Sequence, residues 1–424
     1  MFHQKGKIRY IVLVLLFFAT TINYIDRQVI GILKPFIATD LGWSEIDYGF
    51  IVTSFQVAYA IGLLISGALL DKYGIRIGYT IAIAVWSLAA VLHATVRTVF
   101  GFSTVRFFLG LGESANFPAA IKTVTEWFPQ KDRAHATGWF NSGSTIGAIV
   151  APIIVTGTTV AYGWQWAFII TGSLGFIWIV IWLLFFHLPA NHPGLTKEEY
   201  EYIHQDRDLV AAEKIRWISL LKYRQTYALC ATRFISDWVW WFFLFWAPDF
   251  LHKTHGIQIM ESVVPLILIY SIASVGGIAG GWISSTLISR GTSVDIARKR
   301  AILICALAVL PVMSVPMIAS KWASVFLISI ACAGHMGWAS NMFAVLSDIY
   351  PKKTVGSVTG LSGFTGAVGG ALSASFVGLV LEATGSYFLI FFIASLVYLV
   401  NWLILKIFIP KIETLRVLDY IPSK

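Results

Sequence analysis

Residues 128–148 read FPQKDRAHATGWFNSGSTIGA, and residues 350–370 read YPKKTVGSVTGLSGFTGAVGG. The two stretches align at a constant offset of 222 residues: Pro129 with Pro351, Lys131 with Lys353, Thr137-Gly138 with Thr359-Gly360, and Gly147 with Gly369. Each copy runs from a polar loop into a long apolar segment. The offset is about half of the 424-residue chain. A repeat of that period predicts a protein of two related halves, the construction of alternating-access carriers.

The rest of the chain fits that division. It is 57% hydrophobic and only 12% charged, a membrane composition. Apolar runs of 18 or more residues recur twelve times, near 8–36, 46–70, 77–96, 98–124, 134–158, 164–187, 222–250, 260–289, 299–319, 322–347, 354–382 and 385–409. Each is long enough to cross a hydrocarbon core of roughly 30 Å as a helix. The predicted fold is therefore an all-α polytopic membrane protein with two pseudo-symmetric six-helix bundles, 1–189 and 222–424. A polar linker, 190–221, separates them. It follows Pro189 and contains Pro193, Gly194 and the capping-box spacing Thr196-Lys197-Glu198-Glu199, which predicts a short amphipathic helix through about Val210.

The net charge of +9 does not signal nucleic acid. With the N-terminus placed in the cytoplasm, 23 of the 31 lysines and arginines fall in cytoplasmic segments, and only Lys34, Arg97, Lys253 and Lys321 in outer loops. This positive-inside pattern puts both termini in the cytoplasm. The basic segment Lys5, Lys7, Arg9 precedes a stretch too long for a signal peptide and reads as an uncleaved first span. Cys230, Cys305 and Cys332 all fall in predicted spans and offer neither a disulfide framework nor metal-ligand spacing. The chain has no N-glycosylation sequon, in keeping with a bacterial inner membrane.

Six charges interrupt the spans: Asp26 and Arg27, Arg106 and Glu113, Arg233 and Asp237. A charge at the bilayer centre costs on the order of 2.5–3.5 kcal/mol even on the lenient insertion scale. Six facing lipid would cost roughly 15–20 kcal/mol, more than a typical protein's whole stability. They must face a protein interior or a water-filled cavity. Arg233 and Asp237 are i,i+4 neighbours and can pair on one helix. Arg106 and Glu113 are two turns apart, roughly 10 Å of rise, and find partners on other helices, Asp26 among them.

Between spans two and three the chain reads Gly67-Ala-Leu69-Leu-Asp71-Lys72-Tyr73-Gly74-Ile-Arg76. This resembles the signature loop of the major facilitator superfamily, G-x-L-x-D-[RK]-x-G-x-[RK]. The second-half loop, Gly280-Gly281-Trp282-Ile283-Ser284-Ser285, keeps the glycines and lacks the acid. Within the superfamily the chain resembles the anion:cation symporters, and most of all their bacterial hexuronate transporters, with galactonate transporters next. Three stretches carry the likeness: Arg106 through Pro118 (RFFLGLGESANFP), Glu126 through Gly143, and Trp164 through Gly172 (WQWAFIITG).

The resemblance implies roles. Arg27 and Arg233 match arginines that face the central cavity and grip a substrate carboxylate through a planar fork. Glu113 matches the acid that relatives protonate; Asp26 is a second acid beside it, with Arg106 as their basic neighbour. Asp71, Arg76 and Asp237 are assigned to gating. Polar residues at helical spacing supply hydroxyl ligands: Gln56 and Tyr59 on span two, Asn141 and Ser144 on span five, His335 and Asn341 on span ten. Trp241 on span seven is placed to stack on a sugar ring.

No nucleophile elbow, zinc-protease motif or phosphate loop is present, so an enzyme is not expected. The expected function is proton-coupled uptake of a sugar-acid anion such as glucuronate or galacturonate, with galactonate, glucarate or another organic anion as the alternative. An exporter or a transporter-like sensor of the same fold ranks lower. Protons are the coupling ion and no cofactor is expected. The partners are the anion and the bilayer, and the protein is expected to be a monomer.

Overall fold

The computed structural model of the protein describes residues 8–205 and 217–415. Among them are thirteen α-helices and no strand: α1 (Ile8–Leu41), α2 (Glu45–Leu92), α3 (Val99–Glu113), α4 (Asn116–Trp127), α5 (Gln130–Tyr162), α6 (Trp164–Phe185), α7 (Lys197–His204), α8 (Arg224–His255), α9 (Ile259–Ser289), α10 (Val294–Val309), α11 (Lys321–Ile349), α12 (Lys352–Thr384) and α13 (Phe388–Phe408). Ten helical segments are long and apolar enough to cross a membrane. The two remaining expected spans are α8 and the pair α3/α4, which the chain interrupts at Ser114-Ala115.

Helix α2 holds spans two and three, which meet at Gly74, inside the signature loop. Gly74 has φ 76° and ψ 159°, a non-helical conformation that a side chain rarely adopts. Span nine ends differently from the others: α10 passes into a 3₁₀ turn, Leu310–Met317, bracketed by Pro311 and Pro316. The linker helix α7 starts where its capping box predicts, with the Thr196 hydroxyl accepting from Glu199 N at 3.3 Å. The part of the expected helix beyond Gln205 lies outside the described residues. Lys34, expected in an outer loop, instead lies inside α1 and is 1% exposed, because the helix continues through Pro35 to Leu41.

The chain forms two compact units: Met1–Phe36 with Ser54–Ala211, and Ile37–Thr53 with Ala212–Lys424. The repeat has a direct structural expression inside each. In the first unit, a Cβ on Gly143 would meet Phe17 O at 2.4 Å, and one on Gly147 would meet Thr21 O at 2.5 Å, so α5 lies backbone to backbone against α1. In the second unit, a Cβ on Gly369 would meet Phe234 O at 2.1 Å, and the Thr365 hydroxyl donates to Cys230 O at 3.1 Å. Gly143 and Thr365, like Gly147 and Gly369, are the 222-residue pairs. Their partners Phe17 and Cys230, and Thr21 and Phe234, share a second constant offset of 213. The duplicated stretch therefore packs in one register on the first helix of each half, α1 or α8. Small residues make that close approach possible.

The glycine stripe of α12 divides. Gly366 and Gly369 are pressed against α8, whereas a Cβ at Gly356, Gly360 or Gly363 would meet nothing within 4 Å. Helix packing accounts for only the part of the stripe beyond Gly363.

In the second unit, Ile37–Thr53 is tied down by a polar cluster. Lys253 pairs with Glu45 and lies 3.3 Å from Asp249, and Tyr387 donates to Asp249. Tyr48 donates to Phe245 O at 2.9 Å and packs edge-on against Trp246. Thr53 Oγ1 and Ser375 Oγ lie 2.8 Å apart. A Cβ on Gly49 would meet Ala374 O at 3.1 Å.

Candidate functional site

In the first unit the intramembrane charges converge. Arg27 on α1 donates from Nε to Glu113 Oε2 on α3 at 2.8 Å and from Nη2 to Asn23 Oδ1 at 3.1 Å. Its guanidinium lies 4.8 Å from the Tyr24 ring centroid, 4.9 Å from Tyr59 and 5.6 Å from Phe55. Arginine is the residue suited to such a wrap, because a weakly hydrated planar cation stacks on aromatic faces while its edge makes hydrogen bonds. Tyr59 stacks on Phe55 with centroids 5.9 Å apart, which fixes its ring beside Arg27.

Glu113 is fully buried. Only one of its oxygens is used; Oε1 has no hydrogen-bond partner. Arg106, two turns before Glu113 on α3 and 1% exposed, donates from Nη1 to the carbonyl of Arg27 at 3.4 Å and rests over Phe55. Asp26 points elsewhere from Arg27. It is 2% exposed, lies in the field of Glu113 and Arg106, and has the Thr171 hydroxyl beside it outside hydrogen-bond geometry. Neither Asp26 oxygen is hydrogen-bonded. Two carboxylates and two guanidiniums thus share one buried region, and each acid keeps acceptor capacity unused. Such a cluster can hold or lose a proton with little rearrangement of heavy atoms, because the proton has a vacant lone pair to go to.

Gln56, a turn before Tyr59, is 1% exposed with both amide atoms lacking hydrogen-bond partners. A buried unsatisfied amide is costly unless a ligand or water completes it. Asn141 is exposed and Ser144 half-buried; Ser144 Oγ donates to Asn141 O at 2.7 Å, and neither side chain touches the Arg27 cluster.

In the second unit, Arg233 and Asp237 pair along α8 with Nε to Oδ2 at 3.3 Å. Arg233 also lies over Phe343 at 5.0 Å and lines a small pocket with Leu229, Met342, Phe343, Leu346 and Ser362. His335 on α11 stacks on Trp240, centroids 5.5 Å apart, and its Nδ1 shares a 2.6 Å hydrogen bond with Tyr398 Oη. Trp241 stacks on Phe245. Asn341 is committed elsewhere: its Nδ2 donates to Gly280 O at 2.8 Å and to Gly337 O at 2.9 Å. A Cβ on Gly280 would meet Gly337 Cα at 2.3 Å, so Asn341 clamps a close approach of α9 and α11.

The signature-loop residues lie apart from both clusters. Asp71, assigned to gating, pairs with Lys122 on α4, and Arg76 donates to Leu183 O at 2.6 Å. Sequence reasoning missed Asn23, Tyr24 and Phe55. The first two stand four and three residues before Arg27, the spacing at which helical side chains meet, and that signal was available.

Comparison with known proteins bears on the family and the fold. The Major Facilitator Superfamily profile matches residues 16–374. A hexuronate transporter of Escherichia coli (strain K12) is 29% identical over 387 residues, covering 90% of this chain and 89% of that transporter. A D-galactonate transporter of Escherichia coli O6:H1 is 28% identical over 409 residues, 93% of each. Among solved structures, a bacterial homolog of the human lysosomal transporter Spinster, inward-facing and occupied, has a TM-score of 0.74 at 17% identity, covering 96% of both chains.

Proposed function

The chain belongs to the Major Facilitator Superfamily and is a multi-pass membrane transporter, not an enzyme; from that premise we propose that it takes up a sugar-acid anion, a hexuronate such as glucuronate or galacturonate, by proton symport across a bacterial inner membrane. One observation carries the reading. Arg27 is buried with its Nε on Glu113, wrapped by Tyr24 and Tyr59. A sugar-acid carboxylate competes with the Glu113 carboxylate for the same guanidinium. While Glu113 is ionised, Arg27 is occupied. When Glu113 binds a proton its charge is lost, and the guanidinium turns its fork to the substrate. Substrate and proton therefore bind together, which is what symport requires. Tyr59 and the unsatisfied Gln56 amide supply hydroxyl partners from the same unit.

The relatives' names support a sugar-acid anion. A galactonate or glucarate anion presents the same carboxylate and hydroxyls. Both are ranked against hexuronates by a thermal-shift screen, since a bound ligand stabilises by mass action. The deciding experiment uses purified protein in liposomes with labelled glucuronate. Uptake should rise when the outside is acidified and collapse with a protonophore. Uptake indifferent to both refutes proton symport.

A further inference from the structure

The Arg233–Asp237 pair is a poor structural salt bridge. It rests on one Nε contact at 3.3 Å, and Asp237 Oδ1 is buried with no hydrogen-bond partner. The pair is largely withdrawn from water, its side chains 18% and 15% exposed, and such a pair repays its desolvation only when its geometry is good and its remaining lone pairs are satisfied. A pair serving only to neutralise Arg233 is expected to be bidentate, with both oxygens used. Here the second oxygen is left bare. The carboxylate packs closely on α12, where only a glycine leaves it room: a Cβ on Gly366 would come within 2.2 Å of Oδ2.

Other titratable side chains surround the pair. On α13, Tyr398 lies in electrostatic range of Asp237 and hydrogen-bonds His335 of α11. His335 in turn feels Arg233. The α12 face opposite is Gly366, with no ionisable side chain, and Cys230 is engaged through its carbonyl by Thr365. Beyond Tyr398, among the described residues, stand Cys332 of α11 and Tyr270 of α9. Among the described residues, Arg233 is the cation whose charge acts on Asp237, and it opens onto the pocket lined by Phe343, Met342 and Ser362.

We propose that Asp237 is a second proton-binding carboxylate in the C-terminal half, whose protonation releases Arg233 to bind an anionic group in that pocket. This rests on the proton-symport reading above and extends it to a second half-molecule. The proton comes from solvent on one side and returns to solvent on the other; no other reactant is involved. The arrangement repeats the logic of Arg27 and Glu113 with a pair local to one helix.

The test is stoichiometry in liposomes with labelled glucuronate. Each coupled proton multiplies the equilibrium accumulation ratio by ten per unit of pH gradient. The logarithm of accumulation against the gradient should lose one decade per pH unit in D237N and D237S, and D237E should restore it. Equal slopes in wild type and D237N overturn the inference and leave proton symport standing. A wild-type slope of zero overturns the symport reading itself, and this inference with it. Where the neutral variants do not fold, proton uptake by the wild type on binding glucuronate in weakly buffered solution gives a second reading: more than one proton per bound anion is expected, and one or fewer refutes the proposal.

Discussion

Arg27 Nε and Glu113 Oε2 meet at 2.8 Å, across 86 residues of chain, with both side chains buried. The two residues with the strongest claims to hold the anion and the proton are each other's partner. Replacing Glu113 by Gln removes the titratable group and keeps its shape. E113Q should lose accumulation driven by a pH gradient while still exchanging labelled for unlabelled glucuronate at equal concentrations. It should also unfold at lower temperature, because breaking a buried pair from one side costs about 3–5 kcal/mol. Full accumulation by E113Q would remove Glu113 from coupling.

Arg27 does more than carry charge. Its Nη2 holds Asn23 and its plane lies against Tyr24 and Tyr59. Lysine offers a point charge and neither fork nor plane. R27K should weaken glucuronate binding by roughly 10- to 100-fold, the loss of a charge-assisted hydrogen bond of about 1.5–3 kcal/mol. The check is the glucuronate concentration needed for half-maximal thermal stabilisation. Unchanged affinity in R27K would argue that the guanidinium does not touch the substrate.

The fold was legible because its signals are periodic. Twelve apolar runs, a 222-residue repeat and a signature loop with Gly74 at its break are all properties of order along the chain. The site was legible only as a set of residues. Six intramembrane charges had to face inward on energetic grounds, and Asp26 and Arg27, being adjacent on a helix, had to point different ways. Which acid meets which arginine depends on the contact of α1 with α3, and nothing local encodes it. Asn341 shows the same limit from the other side. Its place in a polar stripe made it look like a ligand, while the carbonyl it clamps belongs to Gly280, 61 residues away. Polarity at helical spacing marks a buried polar partner without saying whether that partner is substrate or backbone.

That clamp is itself testable. N341A removes two hydrogen bonds at a close approach of α9 and α11. Thermal stability should fall by the equivalent of about 1–3 kcal/mol, since two buried carbonyls lose a donor. Glucuronate affinity in the folded fraction should stay near wild type. A selective loss of affinity at unchanged stability would return Asn341 to the binding site.

Thr53 and Ser375 provide the last test. Their hydroxyls lie 2.8 Å apart, and Thr53 ends the segment Ile37–Thr53 that clusters with the second unit although α2 continues into the first. Lys253, Glu45, Asp249 and Tyr387 anchor the same segment. The alternating-access cycle expected from the repeat requires this segment to come free. Oxygens at hydrogen-bond distance place the two Cβ atoms close to the separation a disulfide needs, about 3.5–4.5 Å. In a background without Cys230, Cys305 and Cys332, T53C/S375C should transport when reduced. Oxidation should abolish nearly all uptake, and reductant should bring it back. Substrate binding should survive in the cross-linked form, because the Arg27 cluster is untouched. Transport that proceeds at full rate with the disulfide intact would mean that Ile37–Thr53 stays with the second unit throughout, and that access alternates by some other movement.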